Sequence, residues 1–313
     1  MPELRRGTAD QIAFRDELVE HGILFDSGVP GLWGRGAVFE QIRVGLDDLL
    51  TRAAAAEAPE TMRFPPLLPR RQIETLGYLQ SFPHLAGSVF GFDGSEDDAA
   101  AQQELASRHE DWSAYQTMSE LALVPAACYP VYPVIGARGP LPPGGVMIDA
   151  GGAWVFRHEP SEDPARMQCF HQREMVRVGA PDEVRAWRDA WCERGLQLLR
   201  GLGLDATRDR ASDPFFGRGG RMLAANQRAQ ELKFELLVPI AGDEPTAVTS
   251  FNYHEAHFAE LYGIHSAGGE LAHTACLGFG QERIVLALLR THGFEPRRWP
   301  DDVRRRLWGG AQP

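Results

Sequence analysis

Short apolar runs, rich in β-branched and aromatic residues, crowd the stretch from residue 121 to residue 253. The strand-like runs cover residues 123–124, 131–135, 154–156, 167–178, 233–240 and 247–253. Several follow one another without a helical segment between them, whereas neighbouring parallel strands need a crossover of about a dozen or more residues. The pattern therefore predicts an α+β fold, in which a largely antiparallel sheet is flanked by helices.

Segments with a helical spacing of apolar residues surround these runs. We expect helices over residues 8–20, 37–57, 70–80, 99–118 and 181–201, and a last long helix that begins at Arg283. The 313 residues contain no internal repeat and no low-complexity linker, so one compact domain is expected overall. Within it, residues 1–60 are expected to form an N-terminal helical segment packed on a catalytic core of residues 61–313.

Charge and hydropathy narrow the classes of partner. A net charge of −11 argues against broad electrostatic capture of a polyanion such as tRNA, because counterion release requires a basic surface. No apolar run approaches the roughly 20 residues that span a bilayer, and the first residues lack a signal-peptide pattern. We therefore expect a soluble cytoplasmic protein. The four cysteines are then expected to stay unpaired, which leaves catalysis, metal binding and core packing open for each.

Two short stretches, far apart in the chain, point to chemistry. Residues 156–159 read Phe-Arg-His-Glu, so Arg157 and Glu159 leave the same face if the segment is a strand. Residues 278–283 read Gly-Phe-Gly-Gln-Glu-Arg, which predicts a strand end, a close backbone approach and a helix with Arg283 in its first turn. Together they suggest two arginines and a carboxylate around a nucleoside triphosphate.

A nucleotide would have to be held by side chains, since the sequence has no Walker-type loop and no GxGxxG motif that opens a βαβ unit. Arg157 suits an α-phosphate, and Glu159 suits the adenine amino group. Arg166 and Phe170 offer a second charge and a flat surface, while Arg283 suits the other face of the base or a phosphate. Taken singly, each arginine is equally explained by a surface ion pair, and Phe170 by core packing.

The order of these residues resembles that of class II aminoacyl-tRNA synthetases. The matching patterns are Phe156-Arg157-x-Glu159 and Arg166-x-x-x-Phe170 for motif 2, and Gly278-x-Gly280-x-x-Arg283 for motif 3. The helix at 37–57, followed by a strand that runs into Pro65, resembles motif 1, which implies a homodimer. Residues 233–239 are similar to the seryl-tRNA synthetase strand whose carboxylate binds ATP and Mg²⁺, and 249–252 to the Ser-x-Asn strand after it.

This resemblance covers most of residues 37–290 and implies a set of ATP-binding residues. They are Arg157, Glu159, Arg166, Met167, Phe170, Lys233, Glu235, Ala247, Val248, Thr249, Ser250 and Arg283. Arg157 and Arg283 are the implied catalytic residues, and Glu235 is the implied ligand of Mg²⁺. Glu174 and Asn252 are implied to contact the amino acid substrate.

Cys128, Glu174 and Cys276 each lie beside one of these landmarks. Two thiolates and a carboxylate suit Zn²⁺ and leave a fourth position open. Without a CxxC pair, two buried cysteines and an exposed glutamate explain the spacing equally well. A Cys/Glu/Cys zinc site is, however, a property of the atypical seryl-tRNA synthetases of methanogens and of their truncated bacterial relatives, the amino acid:[carrier protein] ligases.

The chain is more similar to the ligases, because only about 60 acidic-to-neutral residues precede the core where the atypical synthetases carry a large tRNA-binding domain. The resemblance then implies ATP-dependent activation of glycine or alanine. It also implies transfer to the phosphopantetheine thiol of a small acidic carrier protein, with no tRNA substrate. His254 and His257 are candidate bases for the thiol, and both are equally explained as packed or surface histidines.

Three other functions stay open. They are a minimal aminoacyl-tRNA synthetase, a catalytically silent paralogue with a binding or regulatory role, and a zinc-stabilised structural domain. The arginines at 297–298 and 304–306 are either a solvated face or a docking patch for an acidic carrier.

Overall fold

The computed structural model describes residues 4–242 and 244–309. The helices are α1 (Ala9–Glu20), α2 (Ala37–Ala54), α3 (Arg70–Thr75), α4 (Tyr78–Ser81), α5 (Glu96–Ser107), α6 (Val131–Gly136), α7 (Pro181–Gly201), α8 (Gly217–Ala229), α9 (His257–Tyr262), α10 (Gln281–His292) and α11 (Asp301–Trp308). The strands are β1 (Leu24–Asp26), β2 (Trp33–Arg35), β3 (Glu60–Met62), β4 (Leu67–Pro69), β5 (Ser88–Phe92), β6 (Gln116–Leu123), β7 (Val146–Phe156), β8 (Cys169–Gly179), β9 (Thr207–Arg210), β10 (Lys233–Val238), β11 (Thr246–Glu255) and β12 (His273–Gly280).

A seven-stranded sheet forms the centre of the molecule, in the order β3-β7-β8-β12-β11-β10-β9. Every neighbouring pair in it is antiparallel except β3 with β7. A three-stranded sheet (β4-β6-β5) and the β1-β2 hairpin stand beside it. The expected α+β architecture is confirmed. None of the described helices has the length and apolar character that crossing a membrane requires.

The two faces of the large sheet are covered differently, and this difference positions the site. One face packs against α2, α7 and α10 in the main hydrophobic core, which includes Met175, Leu277 and Phe279. The other face meets α6 and α9 at one end only, through a second core with Tyr132 and Phe258. The rest of that second face is where polar side chains of β8, β11 and β12 collect.

The α2 helix illustrates why these residues form this element. Phe39, Ile42, Leu46 and Leu50 recur at helical spacing and are all fully buried. The helix begins after Gly36, where any side chain would lie 2.1 Å from the carbonyl oxygen of Gly22. The predicted helix at 37–57 is confirmed, with its last three residues in a 3-10 turn.

The predicted helices at 8–20 and 181–201 and the strands at 167–178, 233–240 and 247–253 are also confirmed within a few residues. Since β3 pairs with β7 and α2 shares the main core with α10, the chain around residue 60 contacts the rest of the protein closely. The division at residue 60 stays a prediction.

Three sequence-based expectations about elements are wrong. The run 131–135 is the helix α6 and not a strand, because a five-residue apolar run fits either structure. The helix expected over 99–118 ends at Ser107, and β6 follows from Gln116. The helix expected over 70–80 is instead two short helices, α3 and α4. Gly77 lies between them with a φ of 64°, which a continuous right-handed helix cannot contain.

Candidate active site and metal centre

The motif around Arg157 lies just beyond the end of β7, which finishes at Phe156. The expectation that Arg157 and Glu159 leave one face of a strand is therefore wrong. The backbone N–H of Arg157 still donates to Gln168 (2.8 Å), but the N–H of Glu159 turns back to the carbonyl of Arg157 (2.8 Å). The guanidinium of Arg157 lies 5.8 Å from the ring centre of Phe170, so the charge and the flat surface are neighbours.

Glu159 and Arg166 face each other across the loop that joins β7 to β8. Arg166 donates to a carboxylate oxygen of Glu159 at 3.2 Å and lies 3.9 Å from Asp163. Arg5, from the beginning of the chain, is 3.9 Å from the same Glu159 oxygen. Two residues predicted to bind ATP are thus brought together as an ion pair that is partly open to solvent.

Arg283 extends from the first turn of α10, as the sequence predicted, and is tied to the backbone. It donates to the carbonyl oxygens of Ala165 and Ala247, both at 2.8 Å. Burial, followed by repulsion from Arg166 and Arg157, lowers the pKa of Arg283 to about 10. Three guanidinium groups therefore crowd one place, which is an arrangement that favours a bound polyanion.

A small cavity separates the β8 end of this arginine cluster from α10. Its lining residues are Ala165, Met167, Phe170, Gly280, Glu282 and Arg283. An aromatic ring and a guanidinium group face the cavity, which is the combination that holds a flat base. Met167 and Phe170, two of the predicted ATP-binding residues, therefore lie together with Arg283.

A buried lysine and two carboxylates form a second polar cluster at β10. Lys233 lies 2.6 Å from Asp213 and 3.1 Å from Glu235. Burial acts to lower the pKa of Lys233, but the two carboxylates outweigh it and the pKa is raised. Burial acts to raise the pKa of Asp213. The charge of Lys233 and the hydrogen bond from Gln227 outweigh burial, so the pKa of Asp213 is below its usual value. The amide of Gln227 in α8 donates to Asp213 at 2.9 Å and accepts from its backbone at 2.7 Å.

The residues predicted on β11 take different positions. The carbonyl of Ala247 accepts from Arg283, while Val248 and Thr249 are buried. Ser250 pairs with Glu235 on one side and with Gly278 on the other. The strand therefore offers backbone groups and the Ser250 hydroxyl to the open face, and the Val248 side chain to the core.

The structure brings Cys128, Glu174 and Cys276 together. Cys128 precedes α6, Glu174 lies on β8 and Cys276 lies on β12. Their ligand atoms all lie within 4.8 Å of one another, and each residue is only 2% exposed. The sequence alternative of an exposed glutamate is therefore excluded. Their role as metal ligands stays a prediction.

The electrostatics of these three residues fit a metal cation. Burial raises the pKa of Cys128 and raises the pKa of Glu174 to about 8, while a hydrogen bond from Cys128 lowers the pKa of Cys276. Within the described part of the chain, Glu174 Oε2 is buried without a hydrogen-bond partner. Two thiolates and a carboxylate around one point are a donor set that suits Zn²⁺.

Gly278 is what allows the strands to approach so closely beside this centre. A Cβ atom there would lie 2.9 Å from Gln172 Nε2, 3.1 Å from Ser250 Oγ and 3.2 Å from Glu174 Oε1. The first glycine of the 278–283 motif therefore leaves room for polar groups from both neighbouring strands. A side chain there would displace the Gln172 amide and crowd the Glu174 carboxylate.

Other polar residues surround the site, and two of them were not predicted from sequence. Asn252, expected to contact the amino acid, donates to Cys276 Sγ at 3.4 Å. His254 Nε2 lies 3.6 Å from the same sulfur. Asp213 and Tyr78 border Arg157, and burial raises the pKa of Tyr78 to about 12. Neither Asp213 nor Tyr78 belongs to a motif, so no sequence signal pointed to them.

The sheet topology and the arginines that flank its open face define the catalytic core of a class II aminoacyl-tRNA synthetase-like protein. The seryl-tRNA synthetase of M. kandleri, solved with A. aeolicus tRNASec, superposes on the whole chain with a TM-score of 0.81 and 23% identity. The chain spans 63% of that synthetase. At this identity the likeness shows the fold, and the fold class predicted from sequence is confirmed.

Curated proteins identify the family more closely. The chain is 44% identical to amino acid--[acyl-carrier-protein] ligase 1 of Bradyrhizobium diazoefficiens over 98% of its own length and 93% of the relative's. Ligase 2 of the same organism is also 44% identical, over 90% of the chain and 84% of the relative. The chain therefore belongs to the family of amino acid--[acyl-carrier-protein] ligases, which are ATP-dependent enzymes. The resemblance drawn from sequence is confirmed, although no model in a scan of protein families matches the chain.

Proposed function

We propose that this protein activates glycine or alanine with ATP and transfers it to the phosphopantetheine thiol of a small acidic carrier protein. The observation that supports the proposal is the presence of two unlike groups of side chains near one strand, β8. The arginine cluster lies near Phe170, and the thiolate–carboxylate cluster includes Glu174, four residues along the same strand. That separation is about 13 Å along β8, which leaves room for a small amino acid between them.

The nucleotide end of the site is assigned to side chains on three elements. Arg157 is proposed to pair with the α-phosphate, and Arg283 with Phe170 to enclose the adenine. Glu159 and Arg166 are proposed to exchange part of their mutual pairing for contacts with the adenine amino group and a phosphate. Lys233, Ser250 and the backbone of 247–250 complete the set. Glu235 is the proposed ligand for the Mg²⁺ that accompanies ATP.

The amino acid end is assigned to Cys128, Glu174 and Cys276, which would hold Zn²⁺. Zinc with three protein ligands keeps one position for a substrate atom and acts there as a Lewis acid for a free amine. The three residues orient the amino group, and Arg157 meets the carboxylate end from the other side. Most of the rate acceleration then comes from positioning the two reactants.

Two bond exchanges follow from this arrangement. A carboxylate oxygen of the amino acid attacks the α-phosphorus, and pyrophosphate leaves with the electrons of the broken P–O bond. The carrier thiol then attacks the activated carbonyl carbon, its proton is lost, and AMP leaves as the thioester forms. Arg157 offsets negative charge that develops at the phosphorus in the first exchange.

Discrimination among amino acids has to come from the space beside Cα, because the amino group is common to all of them. One methylene is worth roughly 1–3 kcal/mol, so glycine and alanine are expected to be separated only moderately. We further infer a cytoplasmic homodimer. The order of helix α2 and strand β3 supports the dimer, because it is similar to that of motif 1.

The test is ATP–pyrophosphate exchange with glycine, alanine, serine and 2,3-diaminopropionate, followed by transfer to a phosphopantetheinylated carrier. We expect exchange with one or both of the first two and a hydroxylamine-sensitive thioester on the holo carrier, but none on the apo carrier. Aminoacylation of tRNA in place of the carrier would support a minimal synthetase. Absence of exchange with every small amino acid would support a silent paralogue.

A further inference from the structure

A β-bulge interrupts the pairing of β11 with β12 beside the proposed metal centre. Tyr253 pairs with Ala275 and Glu255 pairs with Thr274, so the register passes over His254. Glu255 has a φ of 53°, in the left-handed region that residues other than glycine rarely adopt. Such strain persists where surrounding structure enforces it, and bulges re-aim a side chain. Here the re-aimed side chain is His254.

The imidazole of His254 is held between two partners. Its Nε2 lies 3.6 Å from Cys276 Sγ, and its Nδ1 lies 3.1 Å from the hydroxyl oxygen of Thr274, which is fully buried. The Thr274 hydroxyl can donate to Nδ1, and the neutral imidazole then carries its proton on Nε2. That N–H points at the sulfur. The ring edge packs on Phe258 at 4.8 Å, which limits its rotation.

A second donor approaches the same sulfur from the neighbouring position on β11. Asn252 is the cross-strand partner of Cys276, and its amide nitrogen lies 3.4 Å from Sγ. Cys276 thus receives two N–H groups from one strand. Hydrogen bonds to a thiolate stabilise its charged form and fix the direction of its remaining lone pairs.

We propose that His254 and Asn252 are positioning residues of the metal centre, which hold the Cys276 thiolate in place through N–H···S hydrogen bonds. The inference rests on the metal centre of the proposed function and deepens it. Groups that support metal ligands in this way are typically worth about 10–100-fold in metal affinity. The arrangement also assigns His254 a partner other than the carrier thiol, so His254 is not the base considered from sequence.

The test uses Co²⁺ and Zn²⁺ on the metal-depleted full-length chain. His254→Phe keeps an aromatic ring and removes the donor, whereas His254→Gln keeps an N–H donor. We expect His254→Phe to weaken Zn²⁺ retention against a competing chelator by about 10–100-fold. We also expect it to move the sulfur-to-cobalt charge-transfer band to lower energy, because the thiolate loses a hydrogen bond. His254→Gln should recover part of both effects.

His257→Phe is the matched control, since His257 also packs its ring on Phe258 but is not a contact of Cys276. Asn252→Ala removes the other donor without altering the bulge, and should shift the band in the same direction even if His254→Phe fails to fold. A His254→Phe or Asn252→Ala protein with the wild-type band and affinity overturns the inference. So does an equal shift in His257→Phe. Wild-type protein that binds no Co²⁺ would instead overturn the metal centre itself, whatever the result of pyrophosphate exchange.

Discussion

Arg157 tests the nucleotide end of the site at the level of a single side chain. Its fork-shaped guanidinium lies beside Phe170, and lysine cannot reproduce bidentate contact with a phosphate. We expect Arg157→Lys to lower the rate of pyrophosphate exchange by about 100–1,000-fold, the usual cost of losing one group that stabilises transition-state charge. Arg138→Lys, at an exposed ion pair with Glu60, is the control and should leave exchange unchanged. Equal rates in the two variants would remove Arg157 from the reaction.

Asp213 makes a prediction about stability and pH. Its pKa is lowered below the usual 3.8 in the folded protein, mainly because Lys233 outweighs the effect of burial. The carboxylate therefore contributes stability that is present above about pH 4 and is lost as the pH falls through the folded pKa. The pKa of Lys233 is raised above the usual 10.5. Its contribution to stability is therefore fully present below about pH 10.5 and is lost only as the pH rises through the higher pKa of the folded protein.

We accordingly expect Asp213→Asn to lower the urea midpoint of unfolding at about pH 6 by more than at about pH 3. Asp205→Asn, which changes an exposed carboxylate, should give a small difference that does not depend on pH in this way. A loss in Asp213→Asn that is the same at both pH values would show that the ion pair does not contribute the stability assigned to it.

Gly278 tests the packing that surrounds the proposed metal ligands. A methyl group there lies 2.9 Å from Gln172 Nε2, so the Gln172 amide has to move, and it crowds Glu174 Oε1 at 3.2 Å. We expect Gly278→Ala to fold but to retain less than the stoichiometric amount of Zn²⁺ after dialysis, measured by atomic absorption. Gly268→Ala, where a methyl group meets only Ser266 Oγ at 3.6 Å, should keep its metal. Full metal content in Gly278→Ala would contradict the assignment.

At the scale of single residues, Cys128, Glu174 and Cys276 could be chosen from the sequence as candidate metal ligands, but their closeness in space could not be derived from it. Cys128 and Cys276 are far apart in the chain, and only the pairing of β8 with β12 and the position of the loop before α6 bring them together. Asp213 could not be found, because it lies in the loop between β9 and α8 and its importance comes from Lys233 on β10. Side-chain partners across a sheet follow from register, which single residues do not encode.

The α8 helix carries the clearest prediction at the scale of an element. Gln227 of this helix makes two hydrogen bonds to Asp213, and Asp213 accepts a hydrogen bond from Lys233 of β10. These contacts connect α8 to the sheet. We expect Gln227→Leu to loosen the helix and to speed tryptic cleavage after Arg221 and Arg228, because protease reaches locally opened segments first. The measurement is the time course of limited proteolysis by mass spectrometry.

Gln230→Leu is the matched control for that experiment. Gln230 directly follows α8, and among the described residues its side-chain amide donates to Asn226 of the same helix at 2.9 Å. The two variants remove amides of similar size three residues apart. Identical cleavage rates would show that the Asp213 contact does not fasten α8.

The elements themselves were predictable where amphipathic patterning was long. The α2 and α7 helices have apolar stripes over several turns, and β8 and β11 are rich in β-branched and aromatic residues. The α6 helix was not predictable, because five apolar residues satisfy strand and helix equally and tertiary contact with α9 decides between them. The α8 helix was not predicted, and its apolar residues Met222 and Leu223 are exposed rather than packed in the core.

Metal removal is the prediction for the whole molecule. The main hydrophobic core lies on the face of the sheet opposite the metal triad and includes α2, α7 and α10. We therefore expect chelation to abolish pyrophosphate exchange with little change in far-ultraviolet circular dichroism, and added Zn²⁺ to restore exchange. Cooperative unfolding on chelation would instead support the reading of a zinc-stabilised structural domain.

The crowding of Arg157, Arg166 and Arg283 has a consequence for turnover. The positive groups proposed to draw in the triphosphate would also attract the inorganic product, which is a polyanion too. We therefore expect pyrophosphate to compete with ATP for the free enzyme, and an added pyrophosphatase to raise the yield of thioester.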